Sequence, residues 1–154
     1  MNEGTDIGEL LRGRLASARQ VSSLVADRIT PDVLPSGCEL PAIRYEVVAT
    51  DPTHHLGGAS GFAFSRVQFD CYGRSRRQAN GVASAVIDAL DGFQGPLGYD
   101  DATPDAGCRV HDCTLDNAYD RRDAPAPGSE QFRYRRTLDF QVSHTTPVPS
   151  LTPL

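Results

Sequence analysis

The sequence predicts an α+β fold: a mostly antiparallel sheet of about four strands, with two or three helices packed on one face, in the order α(α)ββαββ. Three observations predict it. Apolar residues recur at helical spacing near both the start and the middle of the chain. Separate stretches alternate apolar and polar residues, as half-buried strands do. Neighbouring strand patterns follow one another directly, which favours hairpins over crossovers. A chain of 154 residues fits one domain. Residues 1–144 are expected to form it, and 145–154 to be a proline-rich C-terminal tail.

Asp6-Ile7-Gly8-Glu9 reads as an N-cap with an acid at the third helical position. Ile7, Leu10, Leu11, Leu15 and Ala18 then follow one helix face, and the same or a second short helix continues through Val21, Leu24 and Val25. Pro31, Pro35, Gly37 and Pro41 punctuate an extended connection. Ala42 to Thr50 alternates, with Ile43, Tyr45, Val47 and Ala49 on one face and Arg44, Glu46 and Thr50 on the other. Asp51 to Gly61 contains a proline, two histidines and three glycines, and is expected to be a loop. Phe62 to Tyr72 is a strand with Val67, Phe69 and Cys71 inward and Arg66, Gln68 and Asp70 outward.

Ser75-Arg-Arg-Gln78 is a capping box, followed by the stripe Ala79, Val82, Ala83, Val86, Ile87 and Leu90, with Gly92 as terminator. Gly95 to Gly107 is expected to be a loop, Cys108 to Tyr119 a strand, and Asp120 to Ser129 a turn or mobile loop. Glu130 to His144 is the clearest strand. Phe132, Tyr134, Leu138, Phe140 and Val142 share one face, while Arg133, Arg135, Thr137, Asp139 and Gln141 share the other. Arg136 falls among the apolar set and needs a carboxylate partner there.

Composition excludes several functions. All 15 basic residues are arginine, so any chemistry that requires lysine is absent. The net charge of −5 argues against a protein whose main task is gripping nucleic acid. No apolar run is long enough to span a membrane, and the acidic start of the chain is not expected to be a signal peptide. The four cysteines, Cys38, Cys71, Cys108 and Cys113, are expected as thiols. Cys108-Arg-Val-His111-Asp-Cys113 lacks zinc-site spacing, and Cys71 and Cys113 read better as small buried strand residues. No G-x-S-x-G, H-E-x-x-H or G-x-G-x-x-G occurs. Gly58-Ala-Ser-Gly61 matches the loop that clamps nucleotides in KH domains, but it lies beside Asp51 without flanking helices or positive charge. Thus no catalytic residue, metal or cofactor is expected.

Two groups remain as candidates for contact. His54, His55, Leu56, Gly57 and Gly58 lie in the glycine-rich loop, where they suit local hydrogen bonds, subunit contacts or docking. Arg74, Arg76 and Arg77 stand at a helix N-terminus, as an anion patch, a solvated face or a salt-bridge cluster with another subunit. Arg66, Arg133 and Arg135 extend the basic set on polar strand faces.

The chain resembles a known family in the run Arg28-Ile29-Thr-Pro31-Asp-Val-Leu-Pro35-x-Gly37-x-x-Leu40-Pro41-Ala-Ile43-x-Tyr45. The likeness continues in His55-Leu56-Gly57-Gly58, in Arg66-Val67-Gln68-Phe69-Asp70-Cys71-Tyr72 and in Leu90-Asp91-Gly92-Phe93. It ends in Phe132-Arg133-Tyr134 and Leu138-Asp139-Phe140-x-Val142. These pieces, in this order, are similar to the tail-completion or tail-terminator proteins of long-tailed bacteriophages, prophages and gene-transfer agents. The resemblance implies a structural subunit, not an enzyme, that forms a hexameric ring on the tail tube in the virion neck. Such a ring stops tube polymerisation and offers a joining surface to the head-completion protein, and it is assembled in the host cytoplasm. It implies that the strand-connecting loop reaches neighbouring subunits, the tail tube or the lumen, and the arginine residues named above are candidates for the same interface. DNA would pass through the lumen without sequence-specific binding, and no membrane is involved. A stopper or adaptor ring of the same neck is the alternative. A small metal-binding protein or enzyme using His54, His55, His111 and the cysteines is a further one. A globule of this length is roughly 40 Å across, so six in a ring leave room for a duplex.

Overall fold

The structure is a computed structural model that describes residues 6–98, 107–125 and 132–147. The elements are α1 (Ile7–Ser17), α2 (Arg19–Val25), β1 (Ile29–Pro31), β2 (Ala42–His55) and β3 (Gly58–Gly73). They continue with α3 (Arg76–Leu90), β4 (Gly95–Leu97), β5 (Cys108–Asp123) and β6 (Arg133–Thr145). The strands form a six-stranded sheet in the order β1-β2-β3-β6-β5-β4, in which β1 runs parallel to β2 and the other pairs are antiparallel. The sheet curls strongly into half a barrel.

This corrects the expected four-stranded antiparallel sheet and its element order. The two unexpected strands are three residues each and contain Pro31 and Pro96. They are too short to show alternation, and pairing at a sheet edge tolerates proline. The region Asp51–Gly61, expected to be a loop, is instead the end of a long hairpin. Asp51 pairs with Phe64, Pro52 with Ala63, His54 with Ala59 and His55 with Gly58. Likewise β4 lies in the expected loop Gly95–Gly107, and β5 runs past Tyr119 to Asp123. Residues 99–106 and 126–129 of those two segments, residues 130–131 of the expected last strand, which is described as β6 from Arg133, and the expected tail from 148 onward lie outside the described residues.

The local signals act as their chemistry requires. The Asp6 carboxylate accepts the Glu9 N–H at 2.8 Å and caps α1. The Ser75 hydroxyl accepts the Gln78 N–H at 3.1 Å, while the Gln78 amide oxygen accepts the Arg74 N–H at 2.8 Å. At Ala18 the backbone turns extended, which divides α1 from α2. The guanidinium of Arg12 donates to the Ile29 carbonyl and that of Arg14 to the Ala89 carbonyl, tying α1 to β1 and α3.

The core lies between the helices and one sheet face. Leu11 and Leu15 of α1, Val82, Val86 and Leu90 of α3, and Ile43, Val67, Phe69, Leu138 and Phe140 of the sheet are all buried. Phe69 and Phe140 meet edge to face at 5.8 Å between centroids. An extra residue, Val48, bulges from β2 between the pairs Val47↔Val67 and Ala49↔Arg66. Side chains beyond it change face. The expected grouping of Ala49 with Val47 is therefore broken: Ala49 joins the Arg66 face, and Thr50 turns toward Ser65.

Candidate functional site

The sequence-derived residues separate into two groups at opposite ends of the sheet. One end is the hairpin tip, where Leu56 and Gly57 link the paired residues His55 and Gly58. Gly58 and Gly61 hold φ of +118° and +78°, a region that side-chain-bearing residues resist. Among the described residues β3 pairs with β6 from Phe62 onward, and the tip extends past that pairing as the two strands β2 and β3. Leu56 is fully exposed there. The Nδ1 of His55 accepts the Gly57 N–H at 3.0 Å, which closes the turn. Among the described residues no group of three or more potential ligands gathers to hold a metal.

The other end gathers Arg74, Arg76, Arg77, Arg133 and Arg135. Arg76 spans the sheet ends, donating to the Arg135 carbonyl at 2.9 Å and the Arg121 carbonyl at 2.8 Å. It also meets Asp120 at 3.1 Å. Asp120 is the carboxylate that Arg136 requires, at 2.8 Å. Arg133 and Arg135 both lie over the Tyr72 ring and both reach Asp123. Arg74 and Arg77 remain exposed. Arg66 belongs to neither end; it is exposed midway along β3 on the helix-free face.

Asp70 is the residue that sequence reasoning misplaced. It was expected to point outward to solvent, yet it is completely buried on the helix-free face. Arg44 donates its Nε to Asp70 at 2.8 Å, and the Thr137 hydroxyl donates at 2.6 Å. Arg135 approaches at 3.7 Å. Cross-strand register explains the cluster, because Asp70 pairs with Arg44 on one side and Thr137 on the other. The only sequence signal was polar residues at matching alternation on three separate strands.

A second buried polar chain was equally hidden. Ser65 lies 2.7 Å from the Nε2 of His144 and 3.1 Å below the Thr50 hydroxyl. The geometry matches a nucleophile and its base, but Ser65 is fully buried and His144 is 5% exposed, so no substrate reaches them. Cys71, Cys108 and Cys113 are buried thiols. Burial pushes Cys108 up to about 11 and Cys113 up to about 12, far from thiolate reactivity. His111 sits at a bulge of β5, against Phe62, while Cys108 and Cys113 point into the core. The three do not converge.

Residues 9–144 match the family model described as tail completion protein gp17. The chain belongs to that family. As a tail completion protein it is a structural component of a phage tail and has its place in the virion. Its fold is also similar to a chain of the structure described as the virion of a native gene transfer agent (GTA) particle. That chain is 18% identical, with a TM-score of 0.56, and the match covers 92% of this chain and 99% of the other. No curated protein matches in sequence.

Proposed function

We propose that the protein is the tail terminator: it forms a ring, of six copies, that caps the tail tube, stops its polymerisation and presents the surface to which the head-completion protein joins. The family match along residues 9–144 is the observation that supports this reading most. The geometry fits it. A stiff two-stranded hairpin tip with an exposed leucine is a docking element, because main-chain pairing has already ordered it before contact. His54, His55, Leu56, Gly57 and Gly58 meet the tail-tube protein or a neighbouring copy, and the arginine end serves subunit contact. The ring forms in the host cytoplasm, and DNA passes its lumen without being held, since a net charge of −5 per copy repels phosphate. The role is structural, not enzymatic.

The test is to mix purified protein with polymerising tail-tube subunits. Tubes of arrested length with a ring at one end, seen by electron microscopy, are the expected result. Tubes that grow unchecked overturn the reading, and a ring that binds head-side components but not tubes assigns the protein to the stopper or adaptor position instead.

A further inference from the structure

Two parts of the chain have taken no role so far. One is the segment 32–41 between β1 and β2, and the other is the run Pro147-Val-Pro-Ser-Leu-Thr-Pro-Leu154 beyond β6. The first forms a wall of an open cleft of about 610 Å³, lined also by Phe132, Arg133 and Arg74. Val33, Leu34 and Leu40 make that wall apolar. Val33 is 73% exposed and Phe132 37%, so this apolar surface faces outward and not into the core.

The cleft is formed in advance. The Asp32 N–H donates to the Tyr45 carbonyl at 2.8 Å, Arg44 donates to the Asp32 carbonyl, and the Nε of Arg28 donates to the Pro41 carbonyl at 3.0 Å. The Cys38 N–H closes a turn on the Pro35 carbonyl at 3.1 Å. Arg122 lies over the Phe132 ring, 4.4 Å from its centroid. Binding therefore has little ordering left to cost. The charges at the cleft are Arg74, Arg133 and Glu39. Glu39 faces Arg28 at 4.0 Å and Arg133 faces Asp123 at 3.7 Å, while Arg74 is exposed and meets no carboxylate among the described residues. The rim is thus rich in N–H donors without a large net charge.

The run beyond β6 has the complementary chemistry. It carries no charge, and Pro147, Pro149 and Pro153 remove three N–H groups from it. Proline-rich chain favours the polyproline helix, which repeats every three residues and leaves its backbone carbonyls unbonded. Val148, Leu151 and Leu154 stand three apart and so share one edge of such a helix. The run therefore offers an apolar edge and an excess of acceptors. The edge suits Val33, Leu34, Leu40 and Phe132, and the carbonyls suit the guanidiniums of Arg74 and Arg133. Grooves with an aromatic lining take proline-rich segments in this way.

Length decides whose run it is. β6 starts at the cleft with Arg133 and ends 13 residues later at Thr145, about 40 Å of strand away. The Thr146 N–H donates to the Gly61 carbonyl at 2.8 Å, so the chain leaves along the hairpin and away from the cleft. Residues 148–154 add at most about 25 Å, too little to return. We propose that the cleft receives Val148, Leu151 and Leu154 of a second copy, so that each copy is strapped to a neighbour by an extended segment. Every copy in an assembly carries both the run and the cleft, which keeps their effective concentration high. The contact is one of segment with cleft, and it stands whether or not the assembly caps a tube.

Cross-linking in the full chain tests it. Cys38 lines the cleft, and the other three cysteines are buried, so it is the accessible thiol. Leu151→Cys adds a thiol to the run, and diamide accepts the two electrons and two protons released as a disulfide forms. Non-reducing gels are expected to show a ladder of joined copies, which adding Cys38→Ser cuts back to dimers at most. A monomer with an internal disulfide, no ladder, or a ladder that survives Cys38→Ser overturns the proposal. In a second measurement a fluorescent peptide of residues 145–154 is titrated with full chain carrying Leu151→Asp and Leu154→Asp, whose own runs leave the clefts free. Binding is expected, and adding Val33→Asp should weaken it about tenfold or more without moving the melting temperature, since Val33 is exposed. Equal binding with Val33→Asp overturns the proposal, as does equal binding of a peptide in which the three apolar residues are moved off their spacing. Absence of binding overturns it in favour of cover by residues 126–131, which join β5 to β6 beside Phe132. No tail tube enters either measurement, so their failure sinks this contact alone, and unchecked tube growth sinks the terminator reading alone.

Discussion

His144 is a titratable group closed inside the sheet, and burial holds its pKa below the ordinary 6.5 despite the bond to the Thr145 carbonyl. Its unfolded form binds a proton more readily than its folded form. Stability is therefore complete above pH 6.5 and falls as pH drops from there toward the lowered folded value. Urea midpoints taken from pH 8 to pH 5 should decline more steeply in the wild type than in His144→Gln; equal slopes would show that the imidazole does not titrate on unfolding. Asp70 is the other residue on which the interior depends. Asp70→Ala removes the buried carboxylate from Arg44, which keeps Glu46 and the Asp32 carbonyl, and takes away the acceptor of the Thr137 hydroxyl. The expected loss is about 3–5 kcal/mol in urea unfolding. A loss under about 1 kcal/mol would mean that the arginines relax into solvent. Neither residue could be ranked from sequence, because buried and exposed polar positions share the same alternation.

The hairpin shows how an element can be misread one residue at a time. Pro52, His54, His55 and three glycines each favour a loop, yet the chain there is strand. Cross-strand pairing with β3 supplies the hydrogen bonds, and bulges at Val48 and between Pro52 and His54 absorb the residues that do not fit the ladder. α3 was the opposite case, since the capping box and apolar stripe are local signals and local interactions satisfy them. Ser75→Ala removes the cap and should cost about 1 kcal/mol, measured by thermal melting. The start of α3 is also packed closely against β3: a Cβ at Gly73 would fall 2.6 Å from the Ala79 nitrogen. Gly73→Ala is expected to destabilise by about 1–3 kcal/mol, because backbone must shift to admit a methyl group. A neutral outcome would show that the junction of β3 and α3 is loose.

At the scale of the molecule, one compact body carries a projecting tip at one end and an arginine-rich surface at the other. Replacing His54, His55 and Leu56 together by serine changes only exposed side chains. Circular dichroism and melting should stay as in the wild type, while tube capping falls sharply. Unchanged capping would remove the tip from the contact, and loss of the fold would show that it is a part of the core.

The sequence by itself determined the caps, the amphipathic helices, the inward faces of β3 and β6 near their centres and the family. Each is written in neighbouring residues or in an ordered series of short runs. Tertiary structure alone decided the six-stranded mixed sheet, the strand character of Asp51–Gly61, the burial of Asp70 and the meeting of α3 with the ends of β5 and β6. Those depend on pairing between segments far apart in the chain. β1 and β4 are too short to announce themselves, and a bulge such as Val48 inverts a face without leaving a mark in composition. A strand's partner, unlike a helix's, is not its own neighbour in sequence, so register becomes visible only when the sheet has closed.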